Sequence, residues 1–218
     1  VHLFDRSARV RACARRLVGQ GGGDPHEHYR RLVAEPAGPS PYAVAGLAEC
    51  GRSEDVPLLR ELLAHPVGRV RAAAVAGLRR LDAVVDDTTL LALLDDPAAP
   101  VVREATRSLL PVAGRLDAEY LADRCRARRP VATRRAGFRL LRGRGGPVEL
   151  RVCVGLSKDW NLALRREAQA AVRTWDWQSA LSAQEADAAH LGALLDRVNH
   201  VFEPFELALL RRRLGLDG

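Results

Sequence analysis

The sequence predicts an all-α fold, a right-handed α-α superhelix of about six stacked helix pairs with a C-terminal helical cap. The first observation is a recurring phrase in which an apolar residue and an arginine precede small residues and then a leucine or its equivalent, as in residues 70–78. The second is the interval, since successive copies are 29, 31, 32, 31 and 31 residues apart. The arginine position is occupied by Arg11, Ser40, Arg71, Arg103, Arg134 and Arg165.

A second apolar segment lies between successive phrases and completes each helix pair. Its leucines have helical spacing in residues 56–63 and again in residues 90–94. We call this first helix of a pair the A helix, and the helix that carries the phrase the B helix. A turn with proline or aspartate separates the two, and both residue types suit the start of a helix. Small residues around each arginine would let neighbouring B helices approach closely, so stacking of the pairs buries the core.

Two stretches carry a resemblance to HEAT repeats, in particular to the short bacterial HEAT-like repeats that are also found in phycobilisome lyases. They run from Asp96-Pro97 to Leu110 and from His65-Pro66 to Leu78, and each has the turn followed by a Val-Arg phrase and a leucine. The resemblance extends over about residues 3–175. It implies helix pairs whose B row lines a concave surface. The resemblance says little about function, because the same scaffold occurs in proteins with many different functions.

The regular spacing of the repeats predicts that the chain consists of two segments. Residues 1–177 are predicted to form the repeat solenoid, and residues 178–218 to form capping helices, over 182–200 and 205–214. Residues 1–5 align with the end of an A helix. We therefore expect a truncated first repeat, as in a piece of a longer chain.

Composition favours a cytoplasmic location without cofactor or metal. No apolar stretch approaches the roughly 18 residues of a membrane span. His26 and His28 are two residues apart, so on a helix they point to different sides and do not converge on a metal. Four widely spaced cysteines lie where other repeats carry small apolar residues, and we expect reduced core thiols. They are Cys13, Cys50, Cys125 and Cys153.

Charge is distributed unevenly between the two predicted rows. The chain has a formal net charge of +7. The B segments carry 18 arginines and three glutamates, whereas the A segments carry nine basic and 16 acidic residues. The rows thus have opposite sign, which predicts a basic concave groove and a more acidic outer wall. The B segments are residues 8–19, 40–51, 68–81, 100–113, 131–144 and 162–175; the A segments are 24–35, 54–65, 82–96, 117–130 and 147–159.

The arginines have two expected roles. The resemblance implies that those of the repeated phrase bond an aspartate or a carbonyl group in the turns, as a ladder of Arg11, Arg71, Arg103, Arg134 and Arg165. The other arginines are densest between Arg124 and Arg151, where Glu149 is the one acid. Their guanidinium forks suit carboxylates and phosphates. The predicted binding residues are Arg107, Arg128, Arg129, Arg135, Arg139, Arg142, Arg144, Arg166, Arg173, Trp175 and Trp177.

The leading hypothesis is a non-enzymatic binding or scaffold module. Its basic groove would hold an acidic protein or another segment of a longer parent chain. The sequence has no triad order, Gly-x-Ser-x-Gly or His-Glu-x-x-His motif. The alternative is nucleic-acid binding, including DNA alkylation-repair glycosylase activity, because a family of glycosylases built from HEAT-like pairs uses tryptophans, a carboxylate and a cationic face. Asp176 between Trp175 and Trp177 would then be catalytic. A chromophore lyase is a third hypothesis, which rests on the shared repeat alone.

Overall fold

The computed structural model describes residues 2–35, 38–177 and 188–216. Every regular element in these ranges is a helix, which confirms the predicted all-α fold. The α-helices are α1 (Ala8–Gln20), α2 (Pro25–Val33), α3 (Pro41–Cys50), α4 (Val56–Glu61), α5 (Gly68–Arg80), α6 (Asp87–Ala92), α7 (Ala99–Leu109), α8 (Ala118–Arg124), α9 (Val131–Arg144), α10 (Pro147–Leu156), α11 (Leu162–Arg173), α12 (Ala188–Arg197) and α13 (Pro204–Arg213). Short 3-10 helices lie at His2–Phe4, Ser53–Asp55, Leu62–Ala64, Leu93–Asp95, Leu110–Arg115 and Asn199–Val201.

Local sequence explains where many of these helices begin. Proline lies in the first turn of six of them, where its missing N–H leaves no hydrogen bond unmade. Polar side chains cap five helices by accepting a hydrogen bond from a first-turn N–H group. Two of these helices, α2 and α3, also carry a proline in the first turn. The caps are Asp24 on α2 (2.8 Å), Ser40 on α3 (3.0 Å), Asp86 on α6 (2.8 Å), Asp117 on α8 (2.6 Å) and Asn161 on α11 (3.1 Å).

Two A helices tighten into a 3-10 turn before they end. Helix α4 continues into Leu62–Ala64 and α6 into Leu93–Asp95, and the following B helix begins four residues after the end of each. The 3-10 helix His2–Phe4 precedes α1 by the same step. The segment before α1 therefore has the local structure of an A-helix end.

The contacts of the backbone divide the chain into two compact units. The first unit, Val1–Pro111, packs α3, α5 and α7 side by side, with α2 on α3, α4 on α5 and α6 on α7. Its core includes Tyr29, Leu47 and Leu78, all fully buried. A Cβ on Gly77 would lie 2.9 Å from the Cβ of Ala48, so glycine at this position lets α5 approach α3 closely.

The second unit, Val112–Gly218, has its own core. Helix α8 packs on α9, and α10 packs against α8, α9, α11 and α12. The leucines of α12 supply the buried stripe that the sequence predicts for the first capping helix, with Leu191 and Leu195 fully buried. That predicted helix begins at residue 182, which lies outside the described residues, and the second capping helix is observed as α13.

The boundary between these units falls within the predicted solenoid, after Pro111. The expected boundary at residues 177 and 178 borders a stretch outside the described residues and stays a prediction. None of the described helices combines the length and the apolar character that a membrane crossing requires.

Candidate functional site

Arg71 joins two successive turns of the first unit. Its Nε and Nη2 donate to the two carboxylate oxygens of Asp96 over 2.8 and 2.7 Å, and its Nη1 donates to the carbonyl oxygens of His65 (2.7 Å) and Pro66 (3.0 Å). The Asp96 carboxylate also accepts the N–H of Ala98 over 2.7 Å. The hydrogen bond to Asp96 raises the pKa of Arg71 above its ordinary value. We call this contact between an arginine and the aspartate 25 residues later a clamp.

Arg134 forms the same clamp in the second unit. Its guanidinium is completely buried and bonds Asp159, again 25 residues later, while its Nε donates to the carbonyl of Cys125 over 3.2 Å. Asp159 accepts the N–H of Asn161 over 2.8 Å, as Asp96 accepts that of Ala98. The Nη1 of Arg134 has no hydrogen-bond partner among the described residues, so Asp159 supplies the charge that this buried guanidinium needs.

Arg11 also bonds the turn before its helix but finds a different acid. Its Nη1 donates to the Asp5 carbonyl over 2.6 Å, and its Nε donates to Glu49 of α3 over 3.2 Å. Arg15 bonds the same carboxylate. Burial alone would raise the pKa of Glu49, but the hydrogen bonds from Arg11 and Arg15 hold it below its ordinary value.

The ladder prediction is confirmed at four positions and is wrong at Arg103. Arg165 donates to the Asp159 carbonyl over 3.0 Å, in agreement with the prediction. Arg103 is exposed, and its closest acidic contact is Glu104 Oε1 at 3.9 Å from Nε. Arg103 also lacks the acid of a clamp, since the residue 25 positions later is Arg128 rather than aspartate.

Five of the predicted binding arginines lie exposed on two helices of the second unit. Arg135, Arg139 and Arg142 follow the i, i+4, i+7 spacing that places them on one side of α9, and Arg166 and Arg173 are one such interval apart on α11. We call these five residues the arginine face. Arg135 donates to Glu167 of α11 over 2.8 Å, which joins the two helices at this surface.

The members of the arginine face differ in how fully they are paired. Arg173 donates from Nε to the Val201 carbonyl over 2.7 Å, and Arg142 Nε lies 3.4 Å from Glu149 Oε1. Arg139 and Arg166 have neither a hydrogen bond nor an ion pair with any described residue. These two guanidinium groups are therefore available to a ligand without breaking an internal contact.

Glu149, in α10, is a buried acid beside this surface. It is 4% exposed, and burial raises its pKa to about 7, a change that the nearby Arg142 partly opposes. A carboxyl group in this state changes its charge near neutral pH. The sequence marks Glu149 only as an acid within a basic stretch, because burial of a single helical residue leaves no separate pattern.

The other predicted arginines lie apart from the arginine face and have partners. Arg128 donates to Asp123 over 2.8 Å, Arg129 bonds the same carboxylate, and Arg144 donates to the Leu116 carbonyl over 2.9 Å. The hydrogen bond from Arg129 lowers the pKa of Asp123. Arg107 belongs to the first unit and donates to Glu104 over 2.6 Å.

The tryptophans of the predicted site have unequal exposure. Trp177 is buried, donates its indole N–H to the Val172 carbonyl over 3.2 Å, and packs edge-on against Phe202 at 6.5 Å between ring centroids. This places Trp177 in the core, where large aromatic side chains are strongly stabilising. Trp175 is half-buried and Asp176 is exposed. Trp160, which lies near these residues in the sequence and offers a further tryptophan to the glycosylase alternative, is 66% exposed.

Comparison with known families identifies the repeat. Residues 42–110, which contain α3 to α7 almost completely, match the family described as HEAT repeats. Residues 42–110 are HEAT repeats. The predicted resemblance is thereby confirmed, and the narrower likeness to the repeats of phycobilisome lyases stays a prediction. Searches of curated proteins and of solved structures found no match.

One group of side chains on α2 and in the 3-10 helix Ser53–Asp55 has the composition of a metal site. His26, Glu54 and Asp55 each place a ligand atom within 4.8 Å of the others, and His26 Nε2 lies 2.7 Å from Asp55 Oδ2. Arginines already face both carboxylates, since Arg30 Nη1 lies 3.2 Å from Glu54 and its Nε 3.8 Å from Asp55. The Arg30 guanidinium competes with a metal ion for both carboxylates. His26 and Asp55 therefore serve best as a buried contact between α2 and the start of the next A helix.

Proposed function

We propose that this protein is a non-enzymatic interaction module that holds an acidic protein segment on the arginine face. The observation that carries the proposal is the pair Arg139 and Arg166, which are exposed on neighbouring repeats and have no acidic partner among the described residues. HEAT arrays commonly present stacked helices as a binding surface, which supports this class of function.

The charge of the surface determines which partner fits. Among the described residues, Glu167 is the one exposed acid that pairs with the five arginines, so carboxylates of a partner would add ion pairs without displacing many internal ones. Each exposed pair contributes little, about 0.2–1 kcal/mol, and affinity must come from several pairs together. The face would also steer an acidic partner toward the protein and do so less effectively at high salt.

The experiment compares defined probes with a matched pair of charge-reversal variants. The first variant carries Arg139→Glu and Arg166→Glu. The control carries Arg69→Glu and Arg80→Glu, two exposed arginines of α5 that likewise have no ion pair among the described residues. Both variants change the net charge equally and alter no buried residue. Circular dichroism would establish that each retains the helical fold.

Binding of a fluorescent glutamate-rich peptide would be measured at about 150 mM salt. We expect the first variant to bind roughly tenfold more weakly than the native chain, and the control to bind as the native chain does. Equal losses in both variants would mean that net charge alone attracts the peptide and would refute a specific face. Tighter binding of an oligothymidylate than of the peptide would favour the nucleic-acid alternative instead.

A further inference from the structure

Helix α1 exposes an apolar stripe that the arginine face does not involve. Val10, Cys13 and Leu17 follow the i, i+3, i+7 spacing and so lie on one side of the helix. Val10 is 38% exposed, Leu17 is 67% exposed, and Cys13 is exposed as well. The core side of α1 is separate and carries the buried Arg11 and Ala14.

The positions of Val10 and Leu17 are buried in most later B helices. Val10 precedes the arginine of its phrase, and in that place Val70, Val102 and Leu164 are almost completely inaccessible. Leu17 follows the arginine by six residues, and the leucines at that position in α7 and α9, Leu109 and Leu140, are fully buried. A B helix therefore normally has a neighbour along the side that α1 leaves open.

Helix α5 shows what occupies this side in a complete pair. A Cβ on Gly77, which corresponds to Leu17, would lie 2.9 Å from the Cβ of Ala48 in α3, and 3.2 and 3.4 Å from the two terminal methyl groups of Leu59 in α4. This side of α5 is therefore shared by the preceding B helix and by its own A helix. The turn before α1 matches the turn before α5, since in both cases the helix begins four residues after the end of a 3-10 helix. The stripe on α1 is thus the place where an A helix carrying leucines would lie.

Charge specifies the occupant further. Arg9 and Arg16, one i, i+7 interval apart, lie on the solvent side of the stripe, are exposed, and have no hydrogen bond or ion pair with any described residue. A helix that covers the stripe with leucines would meet these arginines along its flank. Acidic residues there would form ion pairs, whereas basic ones would repel.

We propose that the stripe of Val10, Cys13 and Leu17, flanked by Arg9 and Arg16, docks an acidic amphipathic helix with leucines on its apolar side. The partner helix lies on α1 as α4 lies on α5. Helix α6 with its flanks provides a probe of this chemistry, because residues 86–96 carry four aspartates around the buried Leu90 and Leu94. This surface belongs to the first unit and is independent of the arginine face.

The probe is a synthetic peptide with the sequence of residues 86–96, stapled through the exposed positions of Thr88 and Ala92. The staple is needed because an isolated helix of this length is marginal in water. A control peptide replaces Leu90 and Leu94 by serine. Fluorescence anisotropy on the 218-residue chain gives the affinity, and the alkylation rate of Cys13 shows where the peptide binds.

We expect the leucine peptide to bind and to slow alkylation of Cys13, and the serine peptide to do neither. Leu17→Glu should weaken binding roughly tenfold or more, because it removes the most exposed apolar side chain of the stripe. The matched control is Val84→Glu, at an exposed valine away from the stripe, and should bind as the native chain does.

Three results would overturn the proposal. Binding that leaves Cys13 fully reactive would place the peptide elsewhere. Absence of binding to the native chain would remove the acidic helix as occupant. A dimer seen in analytical ultracentrifugation that Leu17→Glu converts to a monomer would assign the stripe to a second copy of this chain.

Discussion

Arg71 and Asp96 lie 25 residues apart in the chain and are joined by two parallel hydrogen bonds at the turns of successive helix pairs. Both side chains are largely withdrawn from solvent. Charge-assisted bidentate bonds of this kind are among the stronger contacts in a protein, and each clamp ties one repeat to the next.

Replacing Asp96 by asparagine should lower the free energy of unfolding by about 2 kcal/mol, because the guanidinium of Arg71 loses its charged acceptor while the turn bond to Ala98 can be kept. Chemical denaturation followed by circular dichroism measures the change. Asp5→Asn is the matched control. Asp5 accepts the N–H of Ser7 in the same kind of turn but receives no guanidinium on its carboxylate, so its replacement should have little effect. Equal losses in the two variants would contradict the importance of the clamp.

The buried and exposed members of the arginine series should differ sharply in their effect on stability. Arg134→Met leaves Asp159 unpaired in a largely buried site and should cost about 3 kcal/mol. Arg103→Met alters an exposed side chain without a hydrogen bond to any described residue and should change stability by less than about 0.5 kcal/mol. Thermal unfolding of both variants at one pH provides the comparison. A similar cost at the two positions would contradict the assigned contacts.

Glu149 should make stability fall as the pH rises toward neutrality. Burial raises its pKa to about 7, so the folded chain retains a proton that the unfolded chain has already released. Its contribution to stability is complete below the ordinary pKa near 4.5 and is lost as the pH rises through about 7. Glu149→Gln carries no such charge. The variant should match the native chain near pH 5 and exceed its stability at pH 8 by up to about 3 kcal/mol.

The control for this pH dependence is Glu119→Gln. Glu119 is exposed and pairs with the exposed Arg151, so its removal should leave the difference between pH 5 and pH 8 nearly unchanged. Urea unfolding at several pH values measures all three chains. If Glu149→Gln retains the native pH dependence, another group is responsible for it.

The four thiols should react with iodoacetamide in an order set by burial. Cys13 is exposed and should be modified first, whereas burial raises the pKa of Cys125 and of Cys153 to about 12. Burial also raises the pKa of the half-buried Cys50, which should react slowly. Because the thiolate is the nucleophile, the two buried thiols should be modified only after denaturation. Peptide mass spectrometry of a time course identifies the order.

The B helices could be predicted closely from sequence. The expected segment 131–144 is α9 residue for residue, and the segment 8–19 differs from α1 by one residue. The repeated phrase provides several aligned copies of one helix, so each boundary is supported by all of them. The segment 100–113 extends past the end of α7 at Leu109, because Pro111 interrupts the regular helix and a 3-10 segment follows.

Side-chain partners were less predictable because they depend on residues a full repeat away. The expected ladder fails at Arg103 although its own phrase is intact, and Arg128 stands where the clamps of Arg71 and Arg134 have an aspartate. Arg71 and Arg134 each have an aspartate 25 residues later, and Arg103 does not. This spacing can be read from the sequence and distinguishes the two arginines that form clamps from Arg103.

Exposure also depends on neighbours that the repeat pattern does not specify. Cys125 and Cys153 are buried as predicted, but the prediction is wrong for Cys13, since α1 has no helix over that side among the described residues. The spacing of the candidate arginines on α9 was likewise readable, whereas the pairing of Arg135 with Glu167 required the packing of α11.

The clamp of Arg71 and Asp96 restricts where the first unit can change in length. An extra residue within α6 would rotate Asp96 by about 100° about the helix axis and carry its carboxylate away from the guanidinium. The connection over residues 81–86 lies at the opposite end of α5 and contains the exposed Val84, so an insertion there can bulge into solvent. One edge of the stacked pairs thus tolerates insertions and deletions, and the edge with the clamps must keep its register.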